Sequence, residues 1–186
     1  VVKALEADKH VFVEKPLCLT EEELHAIRAV YQDKAAKGLR LIVGFNRRFS
    51  PHAEKARGFF SRRENPLVML YRINAGKIPA EHWIQDPVVG GGRLIGEACH
   101  FVDYMQSMCG ARPISVFARR IGRQTSGMTD DQCVITLTFA DGSVGSVIYT
   151  AGGNGGLARD RFAAQAAANA LTMDARQETY TFQGSH

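Results

Sequence analysis

Two short apolar runs joined by one capped helix constrain this chain more than any other feature. His10-Val11-Phe12-Val13-Glu14 and Leu39-Arg40-Leu41-Ile42-Val43 are rich in β-branched and bulky apolar residues, and each has the length of a buried strand. Between them Thr20 is a suitable N-cap, and Glu23 stands three residues later to complete a capping box. Leu24, Ile27, Val30 and Tyr31 recur at helical spacing, and Gly38 supplies the stop. Strand, helix and strand with such short links form a parallel βαβ unit with a right-handed crossover. Pro16 ends the first strand because it cannot donate to a ladder. Residues 2–9 read as the last turns of a preceding helix, with Val2 and Leu5 on one face.

The pattern changes near residues 44–50. Ser50-Pro51 opens a second helix, with Pro at the first helical position, running to about residue 63. Strands are expected at residues 67–75, 114–122, 132–139 and 143–150. The last two flank Asp141-Gly142, a strong hairpin signal. A helix is expected over 93–108, with Leu94, Ala98, Phe101, Met105 and Met108 as its core stripe and Gly110 after it. Residues 161–170 are Ala-rich. Propensity there favours helix, the preceding run of strands favours strand, and strand is the expectation. Residues 152–156 read as a glycine-rich loop, and 179–186 as a tail. The fold class is therefore α+β: a residual βαβ unit, then a predominantly antiparallel or mixed open sheet with helices on one face.

Composition excludes several classes. The 186 residues carry 23 basic and 19 acidic side chains, a net charge of +4, with no clustered basic stripe to suit nucleic acid. No run of ~18 apolar residues could span a bilayer, and the start lacks a signal-peptide layout. Cys18, Cys99, Cys109 and Cys133 form no Cys-x-x-Cys pair, which fits reduced thiols in a cytoplasmic protein.

Four constellations could carry chemistry. Glu14-Lys15-Pro16 leaves the carboxyl end of a buried strand, where open α/β sheets bind ligands, and a lysine there can polarise an oxygen or relay a proton. The plain alternative is a surface ion pair. Gly90-Gly91-Gly92 is followed by Glu97, His100 and Asp103, spaced three apart on a helix. A carboxylate in reach of His100 would fix its tautomer and raise its basicity, making it a general base. Glu97 with His100 has metal-ligand spacing, but no further ligand is placed to complete a site, so no metal is expected. Asn46-Arg47-Arg48 follows the second strand and could bind an anionic or hydroxylated ligand. His82-Trp83 sits between prolines and could form a sugar-stacking wall or anchor its loop.

Taken in order, His10-Val-Phe-Val-Glu-Lys-Pro-Leu17, Val43-Gly-Phe-Asn-Arg-Arg-Phe-Ser-Pro51, Gly90-Gly-Gly-Arg-Leu-Ile-Gly-Glu-Ala-Cys-His-Phe-Val-Asp103 and the hairpin Phe139-Ala-Asp-Gly-Ser-Val144 resemble the Gfo/Idh/MocA oxidoreductases. The resemblance extends to about Met173. It implies NAD or NADP as cofactor in the complete enzyme, and a sugar, inositol or related polyol as substrate. It places the catalytic lysine on Lys15 and the catalytic histidine on His100, with Glu14, Lys15 and Pro16 facing the cofactor. Asn46, Arg47, Trp83 and Asp103 become substrate contacts. Where the wider family commonly has Asp four residues before the histidine, this chain has Gly96, and an acid follows at Glu97. Glu97 either replaces that Asp or orients the helix.

The family also begins with a strand, a Gly-x-Gly-x-x-Gly turn and a helix, and none of these occurs here. Residues 1–45 are therefore expected to be a remnant of the dinucleotide-binding Rossmann domain, and 46–186 the α+β substrate-binding and oligomerisation domain. The chain is expected to be a truncated or excised part of the enzyme that binds no dinucleotide alone and is inactive alone. The alternative is a non-catalytic ligand-binding or assembly module derived from the family. A homodimer through the open sheet face is expected, because alternation along the strands leaves apolar side chains there on either parity.

Overall fold

The computed structural model describes residues 1–120, 132–152, 154, 156, 158–174 and 179–183. The front of the chain is α1 (Val2–Glu6), β1 (Val11–Val13), α2 (Glu21–Ala36) and β2 (Leu41–Val43). Strands β1 and β2 pair in parallel, Val11 opposite Leu41 and Val13 opposite Val43, as the βαβ pattern requires. The capping box of α2 forms: Thr20 accepts from the Glu23 backbone N–H, and the Glu23 carboxylate reaches back to the Thr20 N–H. Leu5 and Ile27 are the buried residues of the two helices. Leu24, expected on the buried stripe, is exposed. The two strands occupy each other's inner edge, and Phe12 and Ile42 stand exposed on them.

After a 3₁₀ turn at Asn46–Phe49 come α3 (Pro51–Phe59), β3 (Val68–Asn74), α4 (Cys99–Cys109), β4 (Pro113–Arg120), β5 (Cys133–Phe139), β6 (Val144–Thr150), β7 (Asp160–Ala166), β8 (Asn169–Asp174) and β9 (Thr179–Gln183). Helix α3 is shorter than its pattern suggested; Ser50 caps it through a bond from the Ala53 N–H. The seven strands form one mixed sheet in the order β4-β5-β6-β3-β7-β8-β9. Only the β3–β6 pair among them is parallel. The Ala-rich segment is a hairpin of two strands, and residues 179–183, read as tail, supply an edge strand. Positions 121 and 122 and two of the four glycines at 152–156 fall outside the described residues.

The core lies between this sheet and the two helices. Met69, Tyr71 and Ile73 of β3, Leu137 and Phe139 of β5, and Val147 and Tyr149 of β6 meet Ala53, Ala56 and Phe60 near α3 and Phe101, Tyr104, Met105 and Met108 of α4. The opposite face carries Val68, Leu70, Phe117 and Val144, all exposed. Strand β4 is exposed along its whole length. Val116 shares the helix side with its cross-strand partner Leu137, yet the helices do not reach it.

Candidate functional site

The carboxyl end of β1 delivers Lys15 to the start of the α4 region. Lys15 Nζ donates to the Gly96 carbonyl at 2.8 Å, joining positions 81 residues apart. That carbonyl belongs to a π turn, Leu94–Ala98, that runs into α4. Such turns are often found at functional sites. The glycines before it are structural. A Cβ on Gly90 would lie 2.3 Å from the Ile84 Cα, and Gly91 and Gly92 have φ of +68° and +83°. They let the chain close tightly over the Trp83–Gln85 turn and enter the helix.

His100 follows in the first turn of α4. It is 8% exposed, its ring meets Phe45 edge-on, and Nδ1 has no hydrogen-bond partner among the described residues. The expected carboxylate partner is not there. Asp103 is bound on both oxygens by the Arg48 guanidinium, with Arg48 Nε at 2.8 Å. Arg57 in turn donates to the Arg48 carbonyl. This chain of contacts ties α4 and α3 to the turn after β2. Asp103, expected as a substrate contact and as a candidate partner for His100, is therefore a buried clamp, because a guanidinium at hand satisfies a buried carboxylate better than an imidazole does.

Glu97 also turns away from His100. Its carboxylate accepts from the Tyr149 hydroxyl at 2.7 Å and from Arg159 at 3.2 Å, with Arg93 at 3.8 Å. Arg93 is buried, donates to the Gly76 and Ala75 carbonyls, and stacks over the Tyr149 ring. Arg47 bonds Asp160 and the Tyr71 hydroxyl and lies 4.9 Å over the Phe101 ring. Burial raises the Tyr71 phenol to about 12, so it stays protonated while its oxygen accepts from Arg47. A cavity of about 180 Å³ opens beside Arg47, lined by Ser50, His52, Tyr71 and Asp160; neither Lys15 nor His100 lines it. Glu14 is exposed and lies against Gly44, where a Cβ would come within 3.0 Å of its carboxylate. Asn46 is exposed beside Arg47. Trp83 is 60% exposed, with its ring 5.7 Å from that of His82.

Lys15 and Arg47 stand close enough to His100 for their charges to act on it, as does Glu97 although its carboxylate turns to Tyr149 and Arg159. Arg93, Tyr149, Arg159, Tyr71 and Asp160 were not foreseen. An arginine directly after three glycines in an otherwise apolar stretch was a usable signal for Arg93. Nothing local marked the others.

The charges act on His100. Burial first, then Lys15 and Arg47, push its pKa down to about 4, against weaker opposition from Glu97 and Asp160. The expectation of raised basicity is reversed, because cations rather than a carboxylate surround a desolvated ring. A histidine depressed in the folded state binds its proton more readily when unfolded. Its contribution is intact above the ordinary value of ~6.5 and is lost as the pH falls toward 4, on the order of 2–3 kcal/mol. Urea unfolding at pH 7.5 and 4.5 should show this drop, and His100→Gln should lose less stability over the same interval. An identical pH dependence in both proteins would contradict it.

The family model described as the GFO/IDH/MocA C-terminal domain matches residues 59–166. The chain belongs to the Gfo/Idh/MocA family. It is 26% identical over 187 aligned positions to levoglucosan dehydrogenase of Pseudarthrobacter phenanthrenivorans, covering 83% of this chain and 46% of that protein. It is 32% identical over 112 to inositol 2-dehydrogenase of Rhizobium meliloti, covering 60% of this chain and 33% of that protein. The crystal structure of an oxidoreductase domain protein from Kribbella flavida superposes with a TM-score of 0.77 at 26% identity, covering 97% of this chain and 57% of that one. The chain spans less than half the length of these curated relatives.

Proposed function

We propose that the chain is the substrate-binding part, with the catalytic lysine strand, of an NAD(P)-dependent oxidoreductase acting on a sugar, inositol or related polyol. One observation carries this reading: the Lys15–Gly96 bond brings the two motifs together at the buried His100. The names of the related dehydrogenases support the substrate class. In this reading residues 1–45 are the remnant of a dinucleotide-binding domain, and 46–186 bind substrate and assemble.

The residues present fit one end of the cofactor. Lys15 and its neighbours Glu14 and Pro16 stand where a nicotinamide ribose would approach the carboxyl end of β1. Among the described residues no strand runs directly through a Gly-x-Gly-x-x-Gly turn into a helix whose N–H groups could receive a pyrophosphate. When bound, the cofactor accepts or donates hydride. In this chain His100 exchanges the hydroxyl proton of the substrate, Lys15 holds the reacting oxygen, and Asn46, Arg47 and Trp83 contact the remaining hydroxyl-bearing carbons. A calorimetric titration of the chain with NAD, NADP, levoglucosan and myo-inositol tests the reading. Polyol binding with little or no dinucleotide binding is the expected result. Absence of any polyol binding would overturn it.

The open sheet face, with Val68, Leu70, Phe117 and Val144 exposed, supports a homodimer in the same proposal. Light scattering at micromolar concentration is expected to give the dimer mass, and Leu70→Glu with Phe117→Glu the monomer mass. A monomer for the unmodified chain would remove this part. The four cysteines are free, which supports a reducing, cytoplasmic location. No helix among the described residues is long and apolar enough to cross a membrane.

A further inference from the structure

The π turn at Leu94–Ala98 governs two candidate residues at once. Its Gly96 carbonyl receives the Lys15 ammonium at 2.8 Å, and its far end passes directly into the first turn of α4, where His100 stands. The placement of Lys15 relative to His100 therefore depends on the shape of these five residues. Local preference does not supply that shape. π turns are rare, and a glycine inside a helical segment adds backbone freedom that opposes it. Gly96 is required for clearance, since a Cβ there would come within 3.1 Å of the Ile84 Cδ1. The turn must be held from outside.

The hold comes from β6. Tyr149 is fully buried in that strand. Its hydroxyl donates to the Glu97 carboxylate at 2.7 Å, and Glu97 directly follows the residue that receives Lys15. Its ring lies 5.5 Å from the guanidinium of Arg93, which immediately precedes the turn and is anchored on the Gly76 and Ala75 carbonyls. One side chain thus touches both the residue that opens the turn and the residue beside the Lys15 acceptor. Arg159 reaches the same Glu97 oxygen at 3.2 Å, but its side chain is 54% exposed, and exposed ion pairs hold weakly. Packing in the core needs only the aromatic ring of Tyr149. A phenol oxygen aimed at a carboxylate is a charge-assisted bond of the stronger class, and core packing gives no reason for it.

Resting on the proposed role of Lys15 in the chemistry, we propose that Tyr149 and Glu97 are a positioning pair: the Tyr149 hydroxyl fixes Glu97, Glu97 fixes the π turn, and the Gly96 carbonyl of that turn holds Lys15 over the start of α4. Neither member handles a reacting atom.

The test reads Lys15 directly in the chain itself. Brief labelling with acetic anhydride, followed by mass spectrometry, gives the reactivity of Lys15 against the exposed Lys9 and Lys37 as internal references. Tyr149→Phe keeps the ring and removes the hydroxyl. It is expected to raise the relative labelling of Lys15 by about 3- to 10-fold, the scale of one hydrogen bond. Glu97→Ala should raise it equally, and the two changes together no further. Glu97→Gln still accepts from Tyr149 and should leave Lys15 protected. A merely structural role gives the opposite split, a lower melting temperature with Lys15 labelling unchanged. Unchanged labelling in Tyr149→Phe and Glu97→Ala would overturn the inference and leave the oxidoreductase reading intact. A rise in Glu97→Gln as large as in Glu97→Ala would overturn the part given to the hydrogen bond. Raised labelling in the two variants, with no polyol bound by the unmodified chain in the calorimetric titration, would overturn the underlying reading and with it the service to chemistry.

Discussion

Joined to the Rossmann half of a relative such as levoglucosan dehydrogenase, Lys15→Ala and His100→Ala are each expected to turn over about 100-fold or more slowly than the unmodified hybrid. The two side chains act on the same oxygen in the proposed chemistry. Lys15 is fixed by one bond to the Gly96 carbonyl, and His100 by packing against Phe45. Removing either takes away a proton-handling or oxygen-holding group that works mainly in the transition state, so kcat should fall more than KM rises. The double variant should be little worse than the worse single, since groups that act as a unit are not additive. Asp103→Asn makes a useful comparison. It weakens the Arg48 clamp without touching the reacting atoms, and should move stability more than turnover. Steady-state kinetics over a sugar and inositol panel check all four. Turnover like the unmodified hybrid's in either alanine variant would remove that residue from the site.

Phe101→Ala is expected to destabilise the chain by about 3–5 kcal/mol, the usual cost of emptying a buried aromatic site. For a chain of this size that lowers the melting temperature by roughly 10 °C. Phe101 is fully buried, 4.7 Å from the Tyr71 ring and 6.3 Å from Tyr149, and it carries the Arg47 guanidinium on its face. It follows His100 in α4, so the cavity would loosen both the sheet–helix core and the cations that depress the His100 pKa. Val116→Ala offers the contrast. That side chain is as apolar but sits on the exposed edge strand, and its loss should stay within about 0.5 kcal/mol. Melts of the two variants side by side check the prediction. Similar costs would mean that the core does not lie where the sheet and α4 meet.

Local interactions made much of this fold legible from the chain. The Thr20–Glu23 capping box, the β-branched runs of β1 and β2 and the turn at Asp141-Gly142 each act within a few residues, and all three form as read. Family motifs brought forward Lys15 and His100 as candidates. Residues 160–174 were harder, because alanine favours helix when nothing else speaks. What makes them strands is the long ladder with β3, which sets Phe162 opposite Tyr71, and its continuation into β8. Tertiary pairing outweighs a propensity difference of a few tenths of a kcal/mol per residue.

The electrostatics of the site show the same division. Spacing on one helix suggested that Asp103 or Glu97 would serve His100. Folding instead brings Arg48 to Asp103, and Tyr149 and Arg159 to Glu97, from 52 to 62 positions away. Helical spacing sets which side chains share a face. Which of them finds a counter-charge depends on the approach of distant elements and on the register of β6 and β7, and no property of the neighbouring residues encodes that. The acids and the histidine were therefore readable as a group, while the neutral, cation-flanked state of His100 was decided only when the sheet closed over α4.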